Sequence, residues 1–118
     1  MTGTFNKIII FGHLGANPDI HVTSDGREIA RFNVATSDRY KDKNGEKQEH
    51  TEWHRVVAFR SGLIDSVIKP FLKKGSKVLI EGSSRTGKYT DKDGVERYST
   101  DVIVDELTLS DRPEKRDQ

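Results

Sequence analysis

Thr51-Glu52-Trp53-His54-Arg55-Val56-Val57-Ala58-Phe59 holds the only tryptophan of the 118-residue chain and one of its densest mixtures of ring and charge. The stretch is rich in β-branched and aromatic residues, which fit a pleated, half-buried surface, so a strand is predicted. Strand side chains alternate between faces. Thr51, Trp53, Arg55, Val57 and Phe59 then share one face, and Glu52, His54, Val56 and Ala58 the other. Two rings flanking a guanidinium can stack nucleobases and hold a phosphate. The competing reading makes Trp53 and Phe59 core residues, as strand aromatics commonly are. Arg55 between them and the apolar Val56 and Ala58 behind them count against it, yet the strand alone leaves both readings open.

Aromatic and basic residues interleave elsewhere too. Arg39-Tyr40-Lys41 opens a polar stretch, Phe59-Arg60 ends the tryptophan strand, and Arg85-Thr86-Gly87-Lys88-Tyr89 answers Arg97-Tyr98 across a turn. A tyrosine between basic residues on a protruding hairpin has little core to join. Phe5, Phe11, Phe32 and Phe71 lie in apolar patterns and are assigned to packing.

Catalytic constellations fail on spacing. His50-Thr51-Glu52-Trp53-His54 puts its glutamate in the wrong place for a zincin and lies on a strand, where positions i and i+4 are too far apart to share a metal comfortably. Asp91-Lys92-Asp93-Gly94 resembles the start of a calcium loop, but Val95 and Val102 stand where oxygen ligands are required. Gly12-His13-Leu14-Gly15 lacks a phosphate-loop lysine. The chain is expected to be no enzyme and to need no cofactor or metal.

The elements that would position these side chains follow from periodicity. Phe5–Gly12 reads as a first strand ended by Gly12, with Ile20–Val22 continuing it after a break. Ser24-Asp25-Gly26 marks a hairpin, because glycine accepts the positive φ of a tight turn. Glu28–Ser37 alternates, with Ala30, Phe32, Val34 and Thr36 on one face and Ile29, Arg31, Asn33 and Ala35 on the other. Tyr40–Gln48 is a polar loop around Asn44-Gly45, followed by the tryptophan strand. Helical spacing occurs once: Leu63, Ile64, Val67, Ile68, Phe71 and Leu72 make one apolar stripe between Ser61 and Lys74. Ser61 is the expected N-cap and Gly75 the stop. Pro70 removes a backbone donor, so a kink or an early end is predicted near Lys69. Lys77–Ser83 is a further strand, Arg85–Thr100 an exposed hairpin, and Asp101–Leu109 the closing strand.

Three strands, a short helix and two strands is the order of an oligonucleotide/oligosaccharide-binding (OB) barrel. The expected fold is therefore all-β: a five-stranded OB barrel with one short helix between the third and fourth strands and an extended hairpin between the fourth and fifth. One domain over residues 1–110 is predicted, followed by a short polar tail at 111–118.

Composition agrees with a small barrel. Hydrophobic residues are 32% and charged residues 33%, so the core must be thin. Net charge is only +1, but it is unevenly spread: residues 1–100 carry 17 Lys and Arg against 13 Asp and Glu, and residues 101–118 carry 3 against 6. With so little net charge, stacking should matter more than counterion release. The absence of cysteine excludes disulfides and thiolate metal sites. Ile8-Ile9-Ile10-Phe11 is too short to span a membrane, and the N-terminus lacks a secretion or organelle signal. A soluble cytoplasmic protein is expected.

The chain resembles the bacterial-type single-stranded DNA-binding protein family over about residues 5–109. The resemblance rests on Asn6-Lys7-Ile8-Ile9-Ile10 with Gly12-His13-Leu14-Gly15, on Ala35-Thr36-Ser37, and on Thr51-Glu52-Trp53-His54-Arg55-Val56-Val57. Lys74-Gly75-Ser76-Lys77-Val78-Leu79-Ile80-Glu81-Gly82 completes it. It implies an OB fold, usually a homotetramer, that binds and protects single-stranded DNA without sequence preference in replication, recombination and repair, at the nucleoid. The family's stacking aromatics fall on Tyr40, Trp53, Phe59 and Tyr89, with Tyr40 and Tyr89 where many members have tryptophan. Its basic backbone contacts fall on Lys7, Arg55, Lys73, Arg85 and Lys88. His54 matches a histidine at the family's subunit interface. Bacterial members typically continue through a Gly/Pro/Gln-rich linker to an acidic tip ending in Pro-Phe that recruits replication and repair enzymes. This sequence ends at Glu114-Lys115-Arg116-Asp117-Gln118, so the resemblance does not extend to that recruitment.

Overall fold

The computed structural model describes residues 3–110; the polar tail expected at 111–118 lies outside the described residues. Among the described residues six strands form: β1 (Ile8–Leu14), β2 (Asp19–Val22), β3 (Glu28–Lys41), β4 (Lys47–Ala58), β5 (Lys77–Thr90) and β6 (Glu96–Leu109). Neighbouring strands run β1-β5-β6-β4-β3-β2, and a second pairing of β1 with β3 shuts the ring. Five strands thus close the predicted barrel, while β2 extends the sheet from β3. All ladders are antiparallel except β4 with β6, where Val56 pairs with Val102 and Val57 with Ile103.

Three sequence boundaries are corrected. β1 begins at Ile8 rather than Phe5 and runs through Gly12 to Leu14. Gly12 pairs with Val78 and is where β1 crosses β3: a Cβ there would meet the Ala35 carbonyl oxygen at 2.2 Å. The glycine permits closure rather than ending the strand. Second, β2 does not continue β1 but pairs with β3, Asp19 opposite Arg31 through Val22 opposite Glu28. Third, Tyr40 and Gln48 belong to strands, not to a loop. Their ladder persists to Lys41 opposite Lys47, and only Asp42–Glu46 turns.

One helical segment, α1, covers residues 61–71. It is α-helical over Ser61–Leu63, π-helical over Ile64–Ile68 and α-helical again over Lys69–Phe71. The predicted cap is displaced by one residue: Arg60 is the N-cap, in extended conformation and without a side-chain cap bond. Pro70 neither breaks the helix near Lys69 nor lets it reach Lys74. The wider turn before it bonds the Lys69 amide to the Ile64 carbonyl, five residues back, which accommodates the missing proline donor. Leu72 then turns extended, and Gly75, with φ +90°, sits in the following turn.

The core lines the inside of the barrel. Ile10 and Leu14 of β1, Phe32 and Val34 of β3, Val56 of β4, Val78 and Ile80 of β5, and Val102 and Val104 of β6 are buried. Ile64 and Ile68, four residues apart, drive α1 into one end. Each such side chain contributes about 1.5–3 kcal/mol by leaving water. Of the four phenylalanines assigned to packing, only Phe32 is buried. Phe5, Phe11 and Phe71 are 88%, 49% and 61% exposed. Phe11 alternates with buried Ile10 and Gly12, so the pleat turns it outward, where the Lys77 ammonium lies 4.7 Å from its ring centre. Phe5 precedes the strand, and Phe71 ends the helix away from its buried stripe.

Candidate nucleic-acid interface

The outer face of the sheet carries an open cleft of about 790 Å³, lined by Arg31, Asn33, Arg55, Phe59, Arg85, Tyr89 and Asp101 among others. Its floor follows from register. Asn33 lies opposite Arg55, and Arg85 lies opposite Asp101. Because Val56 pairs with Val102, Arg55 sits alongside Asp101. Asn33, Arg55, Asp101 and Arg85 therefore form one row across β3, β4, β6 and β5. Arg31 and Phe59 flank it on one side, and Tyr89 stands on the hairpin on the other.

The rings are available. Trp53 is 56% exposed and Phe59 48%, so neither is a core residue, whereas Val56 and Ala58 of the opposite face are buried. Trp53 shares the strand face of Arg55, two residues away, and rests on the turn after β1. A Cβ on Gly15 would come within 2.4 Å of its Cζ3, so the ring lies almost on that backbone. The Gly15 amide is itself tied to the Asn33 carbonyl at 3.2 Å.

Not every predicted residue converges here. Tyr40 lies opposite Gln48 near the β3–β4 hairpin tip, on the pleat face that continues the barrel interior, opposite to that of Trp53. Lys88 pairs in register with Tyr98 and is one residue out of phase with Tyr89, so it stands on the back of the β5–β6 hairpin, 3.8 Å from Glu96. Lys7 precedes β1 and reaches Glu81 at 3.0 Å. Lys73 lies past α1, beside exposed Phe71. His54 is half-buried, with its Nε2 2.9 Å from the Thr36 hydroxyl.

Sequence reasoning missed Arg31, Asn33 and Asp101. The alternation of β3 already placed Arg31 and Asn33 on the outward face, and that was the available signal. Asp101 could be found only through the β4–β6 and β5–β6 registers.

Both long hairpins end in the same device. Asp42 Oδ1 accepts from the Asn44 and Glu46 amides, and Oδ2 from Gln48 Nε2 at 3.2 Å. Asp91 Oδ1 accepts from the Asp93 and Val95 amides, and Oδ2 from Arg97 Nε at 2.7 Å. The Arg97 guanidinium, followed by the two amides, holds the Asp91 carboxyl below its ordinary value. Both oxygens of the Asp91 carboxylate are thus engaged within the turn. Among the described residues no cluster of His, Cys, Asp or Glu is arranged to hold a metal, and no helix is long and apolar enough to cross a membrane.

A curved β-barrel with uncovered rings and guanidinium groups on its outer face is the arrangement of an OB-type nucleic-acid-binding module. The family model described as the single-strand binding protein family matches residues 5–110. The chain belongs to that family. It is 48% identical over 105 residues to the single-stranded DNA-binding protein of Rhizobium meliloti, covering 88% of this chain and 60% of that protein. It is 45% identical over 109 residues to the one from Xanthomonas axonopodis pv. citri, covering 92% and 59%. The chain thus spans about three-fifths of the length of these relatives. The solved Plasmodium falciparum SSB complex with ssDNA superposes with a TM-score of 0.84 at 30% identity, over 94% of this chain and 99% of that one.

Proposed function

We propose that this chain binds single-stranded DNA without sequence preference and shields it during replication, recombination and repair. The observation that carries the reading is the convergence of half-exposed Phe59 and Tyr89 on the cleft that holds Arg31, Arg55 and Arg85, with half-exposed Trp53 on the same strand face as Arg55. Stacking on a ring is worth about 1–3 kcal/mol per base and tolerates every base. The cleft's three arginines face Asp19 and Asp101, so its charge excess is small and the rings supply most of the affinity. Tyr40, Lys7, Lys73 and Lys88 lie outside the cleft and engage a longer strand that leaves it. Addition of oligo-dT should quench Trp53 fluorescence, and Trp53→Ala should weaken binding about 5–150-fold, the equivalent of one stacked base. Equal affinity of variant and parent would refute the stacking role.

The family's homotetrameric habit is proposed for this chain as well. Ile9, 61% exposed, and Phe11 leave an apolar strip on the outer face of β1, a surface suited to a second copy. His54, already tied to Thr36, is proposed to lie at a subunit contact. Light scattering gives the mass directly: a tetramer supports this assembly, and a monomer at micromolar concentration excludes it.

A further inference from the structure

Three arginines line the cleft, and they are not equivalent. Arg55 Nε lies 3.3 Å from Asp101 Oδ1, an oxygen that is buried and makes no aligned hydrogen bond. Arg85, opposite Asp101 on the other side, makes no ion pair among the described residues, and neither does Arg31, although Asp19 is its cross-strand neighbour. A single carboxylate is thus placed in the middle of the row, and its charge is directed to Arg55.

We propose that Asp101 is a positioning residue that holds the Arg55 guanidinium as a flat stacking surface beside Trp53 and keeps it from clamping a phosphate. Arg85 and Arg31 are then the backbone clamps of the cleft. A guanidinium is planar and stacks well, so neutralising its charge in place does not remove its use. A phosphate approaching Arg55 would meet the Asp101 carboxylate at the same point, and like charges repel there. The bases, not the backbone, must therefore cross the centre of the row. The inference rests on the single-stranded DNA reading above and specifies which side of the strand faces which residue.

The salt dependence of binding separates the roles, because each phosphate contact adds about 0.7 to the slope of log K against log salt for a single strand. Oligo-dT affinity would be measured from low to moderate NaCl for the wild type, Asp101→Asn, Arg55→Gln and the double variant. Asp101→Asn should steepen the slope by about 0.7, because Arg55 is freed to take a phosphate. Arg55→Gln should weaken binding by lost stacking while leaving the slope of the wild type, and should remove the added slope in the Asp101→Asn background. Arg55→Gln lowering the wild-type slope, or Asp101→Asn leaving it unaltered, overturns the assignment. Arg55 is exposed, so its single variant decides the matter even if Asp101→Asn does not fold. A wild type that does not bind oligo-dT removes the underlying reading instead, so the two failures are distinguishable.

Discussion

The β3–β4 and β5–β6 hairpins are close analogues that end up in different relations to the cleft. Each is a long antiparallel ribbon projecting from the barrel. Each is turned by an aspartate whose Oδ1 accepts two backbone amides, and each carries a tyrosine near its tip. Tyr89 shares the pleat face of Arg85 and Asp101 and reaches the cleft; Tyr40 falls on the face opposite Trp53. One step of register separates a cleft residue from a residue on the far side. The turns differ as well: Asp91 is closed by the Arg97 guanidinium at 2.7 Å, and Asp42 by the neutral Gln48 amide at 3.2 Å. Similar local sequence therefore does not imply a similar role, because role is set by phase relative to the barrel.

The sharpest way to break this comparison is to remove the two rings. With an oligo-dT only long enough to fill the cleft, Tyr89→Ala should cost about 1–3 kcal/mol, one stacked base. Tyr40→Ala should cost clearly less with that oligomer and gain importance as the oligomer lengthens. Titrations at several lengths check this, and equal losses on the shortest would mean that the hairpins are equivalent.

A smaller effect is expected in the turn after β1, on which Trp53 rests. Gly15→Ala places a methyl group about 2.4 Å from the Trp53 ring, so the ring must shift. Intrinsic fluorescence of the free protein should change, and its quenching by oligo-dT should diminish, with the fold retained by circular dichroism. An unchanged spectrum would show that the ring does not need this glycine.

The smallest effect concerns the tips. Folding lowers the Asp91 pKa below 3.8, chiefly through Arg97, so its contribution is present above about pH 4 and is lost as pH falls through the lower folded value. Protection of the Asp93 and Val95 amides, taken relative to their intrinsic exchange rates, should fall in that acid range, and Arg97→Gln should shift the onset to higher pH. Exchange that is insensitive to Arg97→Gln would leave Asp91 no distinct support from its charged partner.

Much of this was readable from the chain. The faces of the tryptophan strand, the alternation of β3 and the apolar stripe of α1 follow from periods of two and of about three and a half residues, and both hairpin turns from their Asn-Gly and Asp-Gly pairs. The errors occurred where a local rule met a distant partner. Gly12 looks like a strand end until β1 crosses β3. Phe11 and Phe71 look like core residues until the pleat and the helix stripe turn them outward.

Alternation along a strand is a property of its own backbone, so the sequence determined which residue types share each face, whereas the exposure of Trp53 was decided only by the closed barrel. Which faces meet was likewise decided there. The row joining Asn33, Arg55, Asp101 and Arg85 draws on four strands separated by up to 68 positions, from Asn33 to Asp101, and exists only because closure sets their registers together. Charge pairing and cleft shape act through space, and only the closed barrel brings those side chains within reach.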